Sequence, residues 1–319
     1  PKKKGNATMK KSFRMFKGAL AAMVSLSLTA GVAVAQDSPD PIRMVLNDWT
    51  GQLISTQLMG EALKRKGLNV EYIQADAMAQ FVGLKSGDLD VQMEVWATTQ
   101  KDLKNEAVES GQVEDLGESG MNAKEEWWYP LYMKEKCPGL PNWEALKEPA
   151  CVEAFSTAET APKGRYLGAP VTWGGFDEER VEALGLDFEV VHAGTDAALF
   201  AELESAYQRK APIILWVYSP HWVPAVYQGE YIEFPPYTED CYKEERYDCA
   251  KPSGPIWKVA WSGVAKKWPT AHDAIKKFQI SSDEMNGLIK RVDVDKEPLE
   301  KVVSGWLDAN EARWQQWFQ

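Results

Sequence analysis

The sequence predicts an α/β protein of two lobes, each built on a parallel-rich sheet flanked by helices, with a ligand cleft between the lobes. Three observations predict it. Short apolar runs alternate with helical patterns, which implies parallel strands covered on both faces. The rhythm breaks at the Pro/Gly-containing stretch Cys137 to Pro141 and then resumes. The chain after residue 35 is about 284 residues long, too much for one small core and suited to two lobes.

The elements follow in order. Lys10, Lys11, Arg14 and Lys17 precede an uncharged run, Gly18 to Ala30, that closes with Ala33-Val34-Ala35. This is the pattern of a secretory signal peptide cleaved before Gln36, with the residues before Met9 reading as an expression scar. The run is too short to span a bilayer. Ile42 to Leu46 reads as a strand, followed by Ile54, Leu58, Ala62 and Leu63 at helical spacing up to Gly67. Val70 to Ile73 is a second strand, Ala77 to Lys85 a helix, and Val91 to Val95 a third strand. After the break come a strand at Tyr166 to Ala169, a helix at Glu178 to Leu184, a strand at Phe188 to Val191, an amphipathic helix at Asp196 to Arg209 and a strand at Ile213 to Val217. Helices at Ala271 to Phe278, Asp283 to Lys290 and Pro298 to Phe318 finish the chain. The lobes are expected to comprise 42–130 with 234–319, and 131–233.

Charge and motif content narrow the function. Seven of the 36 basic residues and none of the 47 acidic ones precede Gln36, so the exported chain carries 29 basic against 47 acidic groups, a net charge of about -18. Nucleic acid and anionic membrane surfaces are therefore excluded as expected partners. The cysteines form two local pairs, Cys137 with Cys151 and Cys241 with Cys249, which in an oxidising compartment read as disulfide staples. Zinc is the rival reading, but no C-x-x-C occurs and the three histidines are far apart. No nucleophile elbow, metalloprotease motif, P-loop or nucleotide fingerprint is present, so no enzyme chemistry and no cofactor are expected. Asp293-x-Asp295-x-Glu297 has Pro298 where a calcium loop needs glycine, so no metal is expected there.

The aromatic residues carry the positive signal. Fourteen tryptophans is a heavy load, and several fall at strand ends. Trp49 follows the first strand, Trp96 ends the third, Trp173 follows the strand at Tyr166, and Tyr218 and Trp222 follow the strand at Ile213. Ligands bind outside the carboxyl ends of parallel strands. A ring presented face-on attracts a cation with about 0.5 to 2 kcal/mol, so three or four rings make a site for a trimethylammonium head. Core packing competes for every Trp, and Trp306, Trp314 and Trp317, at helical spacing, are assigned to it.

The segment Pro212 to Trp222, which contains Ser219-Pro220-His221-Trp222, resembles the Ser-Pro-His-Trp region of the glycine betaine/proline betaine substrate-binding proteins of ABC transporters. Gly87-Asp88-Leu89-Asp90-Val91, leading to Glu94 and Trp96, resembles that family's acidic stretch before a caging Trp. With the Asn47 to Gly51 loop and the segment Gly263 to Pro269, the likeness covers nearly the whole exported chain. It implies a two-lobed periplasmic-binding-protein fold with a hinged cleft, a cage from Trp96, Trp173 and Tyr218, and permease and ATPase subunits of an importer as membrane partners. Tyr218 stands where the family usually has Trp, and an extra pair, Trp127-Trp128, follows Glu125-Glu126.

The expected ligand is a small methylated onium compound: trimethylamine N-oxide, glycine betaine, choline or dimethylsulfoniopropionate. Candidate partners for a ligand carboxylate are His221 and the amides at Thr50-Gly51, where a helix begins. Glu94 and Glu126 are candidates to face a cationic head group, or else belong to hydrogen-bond networks near the hinge. Trp127 and Trp128 are candidate cage rings. The expectation is a monomeric, periplasmic, non-catalytic carrier. The alternative is an exported carbohydrate-binding or glycoside-cleaving protein, since sugars also stack on Trp.

Overall fold

The computed structural model describes residues 36–319, so the signal-peptide reading lies outside the described residues. Its strands are β1 (Ile42–Leu46), β2 (Val70–Gln74), β3 (Val91–Trp96), β4 (Val113–Pro130), β5 (Gly164–Gly168), β6 (Phe188–His192), β7 (Leu215–Ser219), β8 (Gly229–Tyr231) and β9 (Gly254–Trp261). They join edge to edge in the order β2-β1-β3-β9-β4-β7-β5-β6, with β8 also on β4. The outer thirds are parallel, β2-β1-β3 on one side and β7-β5-β6 on the other, as the alternating pattern requires. The middle is antiparallel.

That middle, β4 and β9, had no periodic signal. The first half of β4 carries Gly117 and Gly120, both at positive φ, together with Glu114, Asp115 and Glu118, so its apolar content is too low to read as a strand. Tertiary pairing holds it: residues 113–123 pair with β9, and from Lys124 onward the same strand pairs with β7. One long strand thus belongs to both halves of the molecule. The change of partner falls upstream of the expected boundary at 130/131.

Local sequence explains the helices that flank the sheet. Thr195 caps Asp196–Arg209 by accepting from the Ala198 amide at 3.1 Å, and buries Leu199, Phe200 and Leu203 against the sheet. The C-terminal helix expected over Pro298 to Phe318 is broken: Leu299–Ala309 stops at Asn310, after which two short turns fold back. The reversal stacks Trp317 on Trp306, with centroids 6.1 Å apart, and buries Trp314, so these three tryptophans do pack the core. Both disulfides form as paired in the sequence, Cys137–Cys151 and Cys241–Cys249.

Candidate functional site

Four of the predicted aromatics converge. Trp49 caps the helix Thr50–Arg65 just beyond β1, Trp96 ends β3, Trp173 closes a turn after β5, and Tyr218 lies near the end of β7. Their ring centroids form a closed circuit: Trp49 to Trp96 6.4 Å, Trp96 to Tyr218 5.4 Å, Tyr218 to Trp173 5.7 Å and Trp173 to Trp49 5.5 Å. Each neighbouring pair meets at between 71° and 87°, so the rings stand as the four walls of a box. A point central to them lies roughly 4 Å from each centroid, inside the range of cation–π attraction. Thr99, Gln100 and Glu125 complete the lining.

The polar edges of the walls are all anchored to carboxylates. Glu94 accepts from Trp49 Nε1 at 3.0 Å, from Trp96 Nε1 at 3.1 Å and from Ser55 Oγ at 2.6 Å. Asp48 accepts from Trp173 Nε1 at 2.8 Å, and Asp196 from the Tyr218 hydroxyl at 2.8 Å. Edge anchoring leaves the electron-rich faces free to line the box. Glu94 and Asp196 are fully buried, and burial pushes both carboxyls above the usual range against the pull of these hydrogen bonds.

Glu125, like Thr99 and Gln100, is a lining residue that the sequence did not single out. Burial raises its carboxyl to about 7, opposed by the Thr98 hydroxyl and the Lys251 ammonium, and its Oε2 is buried without a hydrogen-bond partner. The register of β4 on β7 pairs Glu125 with the wall residue Tyr218 and Glu126 with Val217. Adjacent strand residues point to opposite faces, so only one of the two glutamates reaches the box. The run Glu125-Glu126 contains no signal for which one.

Several sequence candidates lie elsewhere. Glu126 is ion-paired with buried Arg180 and accepts from the Lys251 amide at 2.9 Å. Trp127 stacks on Tyr166 at 3.8 Å and donates to Asp177 at 2.8 Å. Trp128 is fully buried on Gly229, where a Cβ would lie 1.8 Å from its ring. These three are therefore buried beside the box and do not line it.

His221 is also displaced from the box. It packs on Phe200 with centroids 4.1 Å apart, its Nδ1 accepts from the Val223 amide at 3.3 Å, and burial lowers it to about 3, so the ring is neutral at physiological pH. Trp222 lines a neighbouring cavity and donates to Asp293 at 3.2 Å. The Thr50-Gly51 turn backs onto the Glu94 carboxyl: a Cβ on Gly51 would stand 3.7 Å from Glu94 Oε1. None of the positions proposed for a ligand carboxylate, His221, Thr50 or Gly51, lines the box.

Known proteins share this architecture. A family model described as the substrate binding domain of the ABC-type glycine betaine transport system matches residues 40–309. The trimethylamine N-oxide-binding protein of Pelagibacter ubique (strain HTCC1062) is 34% identical over 304 residues, covering 92% of this chain and 96% of that one. Among solved structures, lactococcal OpuAC closed on glycine betaine superposes with a TM-score of 0.69 at 20% identity, covering 88% of this chain and 100% of the other. A choline binding protein of an ABC transporter, in complex with choline, superposes at 0.70 and 18% identity, covering 87% and 91%. The latter two likenesses show the fold, two lobes of mixed α/β sheet flanked by helices.

Proposed function

Because this chain belongs to the family of substrate binding domains of the ABC-type glycine betaine transport system, we propose that its box of rings captures trimethylamine N-oxide for an importer. Nothing in the similarities supports the carbohydrate alternative. The observation that carries the ligand choice is Glu125. A carboxyl with a raised pKa and an unpartnered buried oxygen is a donor for an N-oxide oxygen once the trimethylated nitrogen is held between the rings. Glycine betaine instead brings a full carboxylate, and no cationic side chain lines the box to receive it. The 34% identity to a trimethylamine N-oxide-binding protein supports the same reading.

The sign of the pH effect follows from the donor role. The protonated form of Glu125 is present below about 7 and is lost as pH rises through it. Affinity for trimethylamine N-oxide, taken relative to that for choline, a cation with no acceptor oxyanion, is therefore expected to be level below that pH and to fall by up to about tenfold per unit above it. Titration calorimetry of both ligands from pH 5.5 to 8.5, on wild type and Glu125→Gln, measures this. A ratio of N-oxide to choline affinity that climbs through pH 7 would remove the donor role.

The strand pairing supports a division into lobes at 42–123 with 254–319, and 124–253, close to the expected boundaries. Two indole N–H groups then clasp carboxylates across the cleft: Trp173 on Asp48, and Trp222 on Asp293, which also accepts from Thr50 Oγ1 at 2.7 Å. Trp222 acts in this reading as a closure latch. Trp222→Phe keeps a ring but loses the donor, and is expected to raise the ligand off-rate by about tenfold, the worth of a hydrogen bond to a charged group. Stopped-flow fluorescence gives the rate, and an unchanged value refutes the latch.

The carrier is proposed to be non-catalytic, monomeric and periplasmic after removal of its signal peptide. The family works with ABC transporter components, and among the described residues no helix is long and apolar enough to cross a membrane.

A further inference from the structure

Glu94 never lines the box, yet two of its four walls depend on it. Its oxygens take the indole hydrogens of Trp49 and Trp96, and the first turn of Thr50–Arg65 lies against it through Gly51 and Ser55. We infer that Glu94 is a positioning residue that charges the box from behind the rings, ionising as an onium ion enters, so that capture releases a proton. The inference rests on the reading that the box takes an onium head group.

The groups around Glu94 do not otherwise balance a charge. Its hydrogen-bond partners are an alcohol and two indoles. The titratable groups beyond them are Glu125 and Tyr218, which line the box, Asp48 and Asp196, which hold its other two rings, Asp293, which accepts from Thr50 Oγ1, and His221, whose ring lies 4.6 Å from that of Tyr218. All are acidic except His221, which burial keeps neutral, and among the described residues no basic side chain lines the box. Burial accordingly holds the carboxyl above its usual range. A positive ion on the far side of the same two indoles is the missing counter-charge. An ionised Glu94 also makes each indole N–H a stronger donor, which raises the negative potential of the ring faces. The coupling is reciprocal: the factor by which the ion loosens the proton is the factor by which losing the proton tightens the ion.

The probe is tetramethylammonium, which has no oxygen and so makes no demand on a donor. It is titrated calorimetrically into the full chain carrying Glu125→Gln, in two buffers of different ionisation heat, from pH 5 to 8. The expected result is release of up to one proton per ion at the acid end. Affinity is expected to rise by up to about tenfold per pH unit and to level off above the pKa of Glu94 in the free protein. Adding Glu94→Gln should abolish both the proton release and the slope, and weaken binding by at least about tenfold at the alkaline end, with near-ultraviolet dichroism unchanged. Heats independent of buffer together with a flat affinity profile would overturn the inference while leaving the onium box standing. So would a Glu94→Gln protein that binds weakly yet keeps its proton release, because Glu94 would then be a structural support only. Absence of binding at every pH would overturn the onium box as well.

Discussion

Trp173→Ala is expected to weaken onium binding by about 100-fold. The substitution removes one of four ring faces, worth about 0.5 to 2 kcal/mol, and also the hydrogen bond to Asp48, worth about 1 to 3 kcal/mol where the acceptor is charged. The sum, about 3 kcal/mol, corresponds to two decades in Kd. Trp173 ends a short turn rather than a sheet strand, so the sheet and its core keep their partners. Calorimetry against trimethylamine N-oxide and choline reads the affinity, and thermal unfolding reports whether the loss is one of fold. A folded variant within threefold of wild type for both ligands would show that the box is not the site. Trp173→Phe separates the two contributions, since it restores a ring without the N–H that Asp48 holds.

The largest effect on stability is expected at Arg180, in the core beside the box and outside its lining. Its side chain is 1% exposed, pairs with Glu126, donates to the Cys249 carbonyl at 2.8 Å and stacks over Phe234 at 4.3 Å. Asp177 lies in the same buried group, 3.4 Å from the Lys251 ammonium. Arg180→Ala leaves Glu126 buried without its cation, which costs about 3 to 5 kcal/mol. Urea unfolding should show that loss, with ligand affinity of the folded fraction nearly unchanged. Replacing both partners, Arg180→Met with Glu126→Leu, should recover most of it, because the penalty comes from the uncompensated charge and not from a missing attraction. A single-variant loss below about 1 kcal/mol would mean that water reaches Glu126.

These two results bear on how a run of acidic and aromatic residues divides its labour. Glu125, Glu126, Trp127 and Trp128 are consecutive, and composition alone makes all four plausible ligand contacts. Pleating sends alternate side chains to opposite faces of β4, and the pairing with β7 selects the face. Glu125 goes to the box beside Tyr218, while Glu126 goes to Arg180. A shift of one residue in register would exchange them.

Much was legible from the chain alone. Apolar runs and helical spacing located the strands that end at the box, since Ile42–Leu46, Val91–Trp96 and Leu215–Ser219 are each mostly apolar and mostly buried. Trp49, Trp96, Trp173 and Tyr218 were legible because a ring at a strand's carboxyl end has a predictable location. The two disulfides were legible from short spacing. None of these readings needs a distant contact. The antiparallel centre, the carboxylates Asp48, Asp196 and Asp293 behind the aromatic edges, the choice of Glu125 over Glu126, and the burial of His221 were decided by tertiary structure. Each depends on which residues far apart in sequence come to share a dry interior, and it is that shared burial, absent from any local window, that sets their partners and, at Asp196, Asp293, Glu125 and His221, their proton affinities.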